Sequence, residues 1–352
     1  MKVLIYKLNI LLIFLSFLNI YVCGGAAEYK GGVYKGTTMG TSFTAKWHNI
    51  PQKRQGQNNE NLPSMIENKL KKLNQIYSTF DKNSELSKIN SVKTTKPIEI
   101  SKTLYMVIKE ALSISKLSDG TYDVTIGPLV DFWGFGSKDK KNAKLPSKQE
   151  ILKIKENTGY KKIVLINKED KYFVRKINPD IQINLSSIAK GHAVDEIARL
   201  IKKEGWINYL VEIGGEIVTA GVSNSEKNWR AGINLPDKKA ALDEVLSVVE
   251  ITDKALATSG TYRNYFTIED KTFSHILNGK TGYPTEHKIV SVSIIAKSCM
   301  QADALATMAL VLGRESISLL DKDGIEYLFL ESTNSQDFTI IKSKNWPQVI
   351  DN

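Results

Sequence analysis

The chain has 352 residues, a length that fits two domains or one large two-lobed unit at about 100 to 200 residues per domain. Its 42% hydrophobic and 9% aromatic content, with 23 glycines, is ordinary globular composition and excludes disordered, collagen-like and coiled-coil classes. Lys+Arg 48 against Asp+Glu 38 gives +10, but the lysines are dispersed rather than gathered in arginine-rich blocks, so nucleic acid is not the indicated partner.

Lys2 and Lys7 precede a short apolar run from Leu8 to Leu18 that ends near Cys23-Gly24-Gly25. Charge followed by a short apolar stretch predicts a secretory signal over residues 1–22 and an exported protein. Asn9, Ser16 and Asn19 make the run marginal as a retained membrane helix, which wants about 20 apolar residues. Only two cysteines exist, Cys23 and Cys299, so no disulfide framework holds the fold. Cys23 stands where a bacterial lipoprotein carries its acyl chains, with Ile20-Tyr21-Val22 a loose match to the usual preceding pattern. With a lipid on Cys23 the expected location is the periplasmic face of an inner membrane; the competing reading is an incidental cysteine in a cleaved, freely soluble exported protein. Glycine-dotted residues 23–36 are expected to form a flexible tether, and the fold to occupy 37–352.

Past the tether, Thr37 to Trp47 alternates in its later half like a strand. Residues 51–61 are polar and read as a surface loop. Ile66, Leu70, Leu73 and Tyr77 recur at helical spacing, which predicts a helix over 63–77 with one buried face. Met106, Ala111, Ile114 and Leu117 suggest a second helix ending near Asp119-Gly120. A charged loop from Ser137 to Gln149 precedes strands that begin at Lys161 to Ile166. Helix and strand signals interleave irregularly, which favours an α+β fold.

Four segments are too rich in glycine and small polar residues to be core alone. Ser118 to Gly136 reads as a turn, a short strand and an aromatic cluster (Tyr122, Trp133, Phe135), able to wall a pocket for a flat ring or simply to be buried between turns. Ile183 to Gly191 turns sharply into a helix carrying Ala193, Ile197 and Ile201 on one face. Its serines, backbone amides and Lys190 suit a phosphate, and the competing reading is a serine N-cap beside a solvated lysine. Phe273 to Pro284 contains His275, one of four histidines, in a strand-to-turn segment where it acts either as a general base or as a structural side chain. Ala302 to Gly313 is an apolar helix with a glycine stop. Asp303 and Thr307 are four residues apart on one side of it. Together with a free carbonyl they suit Mg²⁺, a hard cation, unless Asp303 serves the helix dipole and Thr307 bonds back to it.

These segments together resemble the ApbE family of FAD:protein FMN transferases, from about Met39 to Gly313. The resemblance rests on Thr38-Met39-Gly40-Thr41, the run from Ser78 to Ser87, the run from Gly120 to Val130, Leu185 to Gly191, Gly214-Gly215-Glu216, Ala257 to Gly260, Ser274 to Gly282 and Ala302 to Thr307. It implies a two-lobed, T-fold-like α+β architecture with a flavin nucleotide cleft between the lobes. It also implies flavin contacts at Met39, Phe80, Thr121, Tyr122, Asp123, Asn184, Lys190 and Leu277, and Mg²⁺ contacts at Ser187, Asp303, Ala306 and Thr307. This chain departs from many relatives by Asn184 in place of Asp and by Gly279 in place of Pro. The implied reaction moves FMN from FAD, the substrate, to a threonine or serine hydroxyl of an exported acceptor protein, with AMP leaving and His275 taking the proton. Two rivals share the site: an FAD pyrophosphatase that uses water, and a lipoprotein that binds FAD without chemistry.

Overall fold

The structure is a computed structural model that describes residues 31–48, 61–136, 145–236, 244–262, 265–268, 271–333 and 337–350. The expected signal, Cys23 and nearly all of the polar loop over 51–61 lie outside the described residues. No helix among the described residues is long and apolar enough to cross a membrane.

Strands β1 (Gly31–Thr38) and β2 (Thr41–His48) pair antiparallel, Gly31 opposite His48 through Thr38 opposite Thr41. This corrects the tether expected over 23–36, because from Gly31 onward the chain is sheet. The glycines serve packing rather than mobility. A Cβ on Gly32 would stand 2.5 Å from the Trp47 ring and one on Gly36 2.7 Å from the Phe43 ring, so the aromatics of β2 lie across bare backbone.

Helix α1 (Leu62–Tyr77) forms on the predicted stripe, burying Leu62, Ile66, Leu70, Leu73 and Tyr77, with a proline in its first turn. Helix α2 (Glu85–Ser91) starts at Ser84, whose hydroxyl accepts from Ser87 N at 3.0 Å. After β3 (Ile98–Ile100), α3 (Lys102–Leu117) buries Leu104, Val107, Ile108, Ala111 and Ile114. Met106, expected on that face, is exposed. Five residues from Ala111 is about 140° round a helix, which turns Met106 to solvent.

Within Ser118 to Gly136, expected as a turn, a short strand and an aromatic cluster, the chain forms helix α4 (Gly127–Trp133), with Pro128 in its first turn and Gly134 ending it in the left-handed region. Helix α5 (Lys148–Lys155) takes over the end of the supposed loop, started by a capping box between Ser147 and Glu150. Strands β4 (Ile163–Lys168) and β5 (Lys171–Lys176) join β3 in a small antiparallel sheet. Helix α6 (Ala189–Lys203) follows, with Ala193, Ile197 and Ile201 buried as expected.

The remainder runs through β6 (Asn208–Ile213), β7 (Glu216–Ala220), β8 (Trp229–Asn234), β9 (Val245–Ile251), β10 (Ala255–Gly260), β11 (Tyr265–Ile268), β12 (Lys271–Ser274) and β13 (Ile289–Ala296). Then come α7 (Cys299–Leu312), α8 (Ile317–Lys322), β14 (Glu326–Ser332), β15 (Phe338–Lys342) and β16 (Val349–Ile350). The main sheet is antiparallel and eight-stranded, in the order β1-β2-β6-β7-β10-β13-β14-β15. Its inner strands β6, β7, β10, β13 and β14 are apolar on both faces, and the two-residue period sorts their side chains between two cores. Tyr209, Val211, Ile213, Ala255, Ala257, Tyr327 and Phe329 join the core of α6 and α7. The alternate residues Leu210, Leu256, Ile295, Leu328 and Leu330 join Trp229, Ile233, Val249 and Ile251 of the β16-β9-β8 sheet. Helix α7, apolar all round, is buried nearly all round.

Candidate functional site

Helices α6 and α7 cap each other. Asp195 of α6 accepts from Cys299 N at 2.8 Å and Met300 N at 2.9 Å, and Asp303 of α7 accepts from Gly191 N at 2.9 Å. Asp303 therefore serves the positive end of the neighbouring helix, not of its own. Gly191 is what lets the helices meet: a Cβ there would come 2.6 Å from the Cys299 carbonyl carbon and 2.8 Å from the Asp303 Cβ. Neither Ser186 nor Ser187 caps α6, because the cap position falls on Ile188. Ser187 instead meets the Tyr122 hydroxyl at 2.8 Å, and Thr307 meets Ser259 at 3.0 Å rather than bonding back to Asp303.

Lys190, in the first turn of α6, donates to Glu216 Oε1 at 2.6 Å. Glu216 opens β7 immediately after Gly214 and Gly215, whose φ values of 63° and 101° meet the demand of a two-residue hairpin turn for positive φ at both positions. Glu216 is 2% exposed, and its other oxygen, Oε2, is buried without a hydrogen-bond partner among the described residues. Burial pushes the Glu216 carboxyl up to about 7 and raises that of Asp303, each against the pull of Lys190. Burial works downward on Lys190, but Glu216 and Asp303 outweigh it and hold the ammonium above the usual lysine value.

These groups line a cleft of about 590 Å³. Phe80, Tyr122, Ile126, Val130, Phe135, Leu277 and His275 form much of the rest of its wall. His275 follows directly on β12 and lies edge-on to Phe135, ring centroids 6.2 Å apart. Phe80 is 74% exposed. Asn184 borders the cleft while its Oδ1 accepts from Ser186 N at 2.9 Å, which holds the turn into α6. Asp123 also borders it, with both carboxylate oxygens engaged inside the fold: Oδ1 by the Thr125 amide and hydroxyl, Oδ2 by Tyr160 N.

Of the residues expected at the site, the cleft thus brings together Phe80, Tyr122, Asp123, Asn184, Lys190, Leu277, Ser187, Asp303, Thr307 and His275. Met39, Thr121 and Ala306 are not among its lining. Met39 sits in the β1–β2 turn with φ 49° and packs on the main core. Thr121 is buried and its carbonyl accepts from Gly279 N at 2.9 Å, and Ala306 is buried within α7. Trp133, expected in the pocket wall, lies behind it, its indole donating to Gly282 O at 2.8 Å. Sequence reasoning assigned no role to Glu216, Thr258, Ser259, Tyr262 and Asn234, which also line the cleft. An acidic residue directly after a Gly-Gly hairpin was the available signal for Glu216.

Ser187, Asp303 and Thr307 offer only oxygen, one buried carboxylate and two hydroxyls, which fits Mg²⁺ completed by water or phosphate oxygens. No group of three or more His, Cys, Asp or Glu side chains able to hold a metal occurs among the described residues.

The ApbE family model matches residues 39–329. The chain is 35% identical over 283 residues to the FAD:protein FMN transferase of Escherichia coli (strain K12), spanning 80% of this chain and 79% of that protein. It is 35% identical over 302 residues to the FAD:protein FMN transferase of Vibrio cholerae serotype O1, spanning 85% and 87%. The solved flavin transferase ApbE from Vibrio cholerae matches with a TM-score of 0.79 at 32% identity, over 91% of this chain and 99% of that one. The apo Pseudomonas stutzeri flavinyl transferase ApbE matches with a TM-score of 0.78 at 29% identity, over 90% and 95%. A family model matched across most of the sequence, relatives a third identical along about four fifths or more of their length and a shared α+β architecture lead to one conclusion: the chain belongs to the ApbE family.

Proposed function

We propose that this protein transfers FMN from FAD to a threonine or serine hydroxyl of another exported protein. The observation that carries the reading is one cleft holding a histidine, a lysine at a helix start and a carboxylate with hydroxyls, in a chain whose relatives are named FAD:protein FMN transferase. The acceptor hydroxyl oxygen attacks the phosphorus of the FMN half, the bond from that phosphorus to the bridging oxygen breaks, and AMP leaves with the oxygen. The attacking hydroxyl gives its proton to the His275 imidazole. Such a loose transition state needs positioning and charge neutralisation more than covalent help.

Lys190 and the start of α6 supply positive charge to the diphosphate. The apolar wall of Phe80, Tyr122, Ile126, Phe135 and Leu277 suits a flat ring. Asp123 and Asn184, which border the cleft, and Met39 and Thr121, which do not line it, complete the proposed flavin contacts. Asp303, Thr307, Ser187 and the main-chain carbonyl of Ala306 are the proposed holders of Mg²⁺. When bound, Mg²⁺ neutralises diphosphate charge.

The reading extends to location: a signal over 1–22 directs export, and a lipid on Cys23 holds the protein at the membrane. Labelling with a fatty-acid analogue should mark the wild type and not Cys23→Ser, and absence of label from both removes the anchor. The central test incubates the protein with FAD, Mg²⁺ and an exported flavoprotein, expecting the FMN mass increment on the acceptor. An unchanged acceptor with FMN released into solution would establish the pyrophosphatase instead, and unchanged FAD the non-catalytic binder.

A further inference from the structure

We propose that Glu216 is a positioning residue that aims Lys190 at the diphosphate, an inference that rests on the transferase reading. Lys190 reaches the cleft on a flexible four-carbon stem that wanders unless something holds its end. Glu216 Oε1 does so at 2.6 Å, which occupies one of the three ammonium donors and directs the other two elsewhere.

The carboxylate is itself fixed from behind. Gly214 N donates to Ser42 O at 3.1 Å and Gly215 N to Glu212 Oε1 at 2.7 Å, so the turn that carries Glu216 is tied to β2 and to its own hairpin. Further out, the first strand pair of that hairpin sets Ile213 opposite Glu216. Position, direction and support therefore all belong to rigid sheet, the arrangement that preorganises a charge for reaction.

The orphaned Oε2 points the same way. A buried acceptor left without a partner among the described residues weakens the fold. A group that costs stability and borders the cleft is explained by function. Of the side chains with a buried polar atom unpartnered among the described residues, Glu216 alone lines the cleft.

The test is a double-mutant cycle on the whole mature protein, with Glu216→Gln and Glu216→Leu each made alone and with Lys190→Met. Melting temperature, FAD affinity by calorimetry and single-turnover FMN transfer are read for each. The Glu216 variants, read at a temperature where they are fully folded, should transfer at least about tenfold more slowly per folded molecule, and adding either to Lys190→Met should cost less than about twofold more. Losses that multiply in the double variants, or a Glu216→Gln variant transferring at the wild-type rate, would overturn the inference. So would Glu216 variants that lose activity only in proportion to lost folded protein. If wild type itself transfers nothing, the transferase reading fails, and the same cycle on FAD affinity still decides whether Glu216 acts through Lys190: coupled losses sustain it, additive losses sink it.

Discussion

Replacing Asp303 should do two separable things, and Asp303→Ala and Asp303→Asn tell them apart. Asp303 is 3% exposed, and its Oδ2 accepts from Gly191 N at 2.9 Å in the first turn of α6. Alanine deletes a charge-assisted bond and strands a buried amide, together costing about 2–3 kcal/mol. In a chain this long that lowers Tm by about 5 °C. Asparagine keeps a carbonyl oxygen for the Gly191 amide and removes only the charge, so its Tm should stay within about 2 °C of wild type. Both variants lose the one carboxylate proposed to hold Mg²⁺, so both should lose most FMN transfer at limiting Mg²⁺, more than Thr307→Ala, which removes a weaker neutral ligand. Scanning fluorimetry reads the first effect and a Mg²⁺ titration of transfer the second. An unchanged Tm in Asp303→Ala refutes the cap, and wild-type transfer by Asp303→Asn at limiting Mg²⁺ refutes the metal role.

His275→Ala should keep FAD affinity within a few-fold while losing about 10²-fold or more of transfer, and equal losses in both would make His275 a binding or structural residue. Gly191→Ala should force α6 and α7 apart against the Cys299 backbone and cost about 2–3 kcal/mol in chemical denaturation; near-wild-type stability would show that the helix contact gives way. The Glu216 carboxyl, at about 7 when folded against an ordinary 4.5, keeps its proton in the folded state after the unfolded chain has released it. Stability should therefore fall as pH rises from about 4.5 through 7, and Glu216→Gln should remove that slope. Parallel stability curves for the two proteins would contradict it.

Periodic segments were the legible part of this fold. The stripe of Ile66, Leu70, Leu73 and Tyr77 in α1 and that of Ala193, Ile197 and Ile201 in α6 are decided by a 3.6-residue repeat that any buried helix must show. Helices α4 and α5 were harder, being only 7 and 8 residues long. Two turns give the period too little room, and the Ser147–Glu150 capping box was the stronger signal. The glycines of β1 read as a tether because their reason lies on the partner strand, in Trp47 and Phe43. The site was legible as a set of motifs, but its wiring was not. That Asp303 would cap α6, or that Lys190 would find Glu216, depends on pairings across many residues of chain that local patterns do not encode.

The start of β1 at Gly31 also sets a length scale. A lipid on Cys23 would be joined to the sheet by the stretch from Cys23 to Gly31, which at about 3.3–3.6 Å per residue reaches no further than about 29 Å. A fold of this size has a radius of gyration of about 20 Å and hence a diameter of about 50 Å, so that leash is shorter than the body it restrains. Anchored so, the protein would turn and tilt against the bilayer without leaving it, and its cleft would stay within a body's width of the membrane. Acceptors would be selected by the height at which they carry their hydroxyl as well as by the residue that bears it.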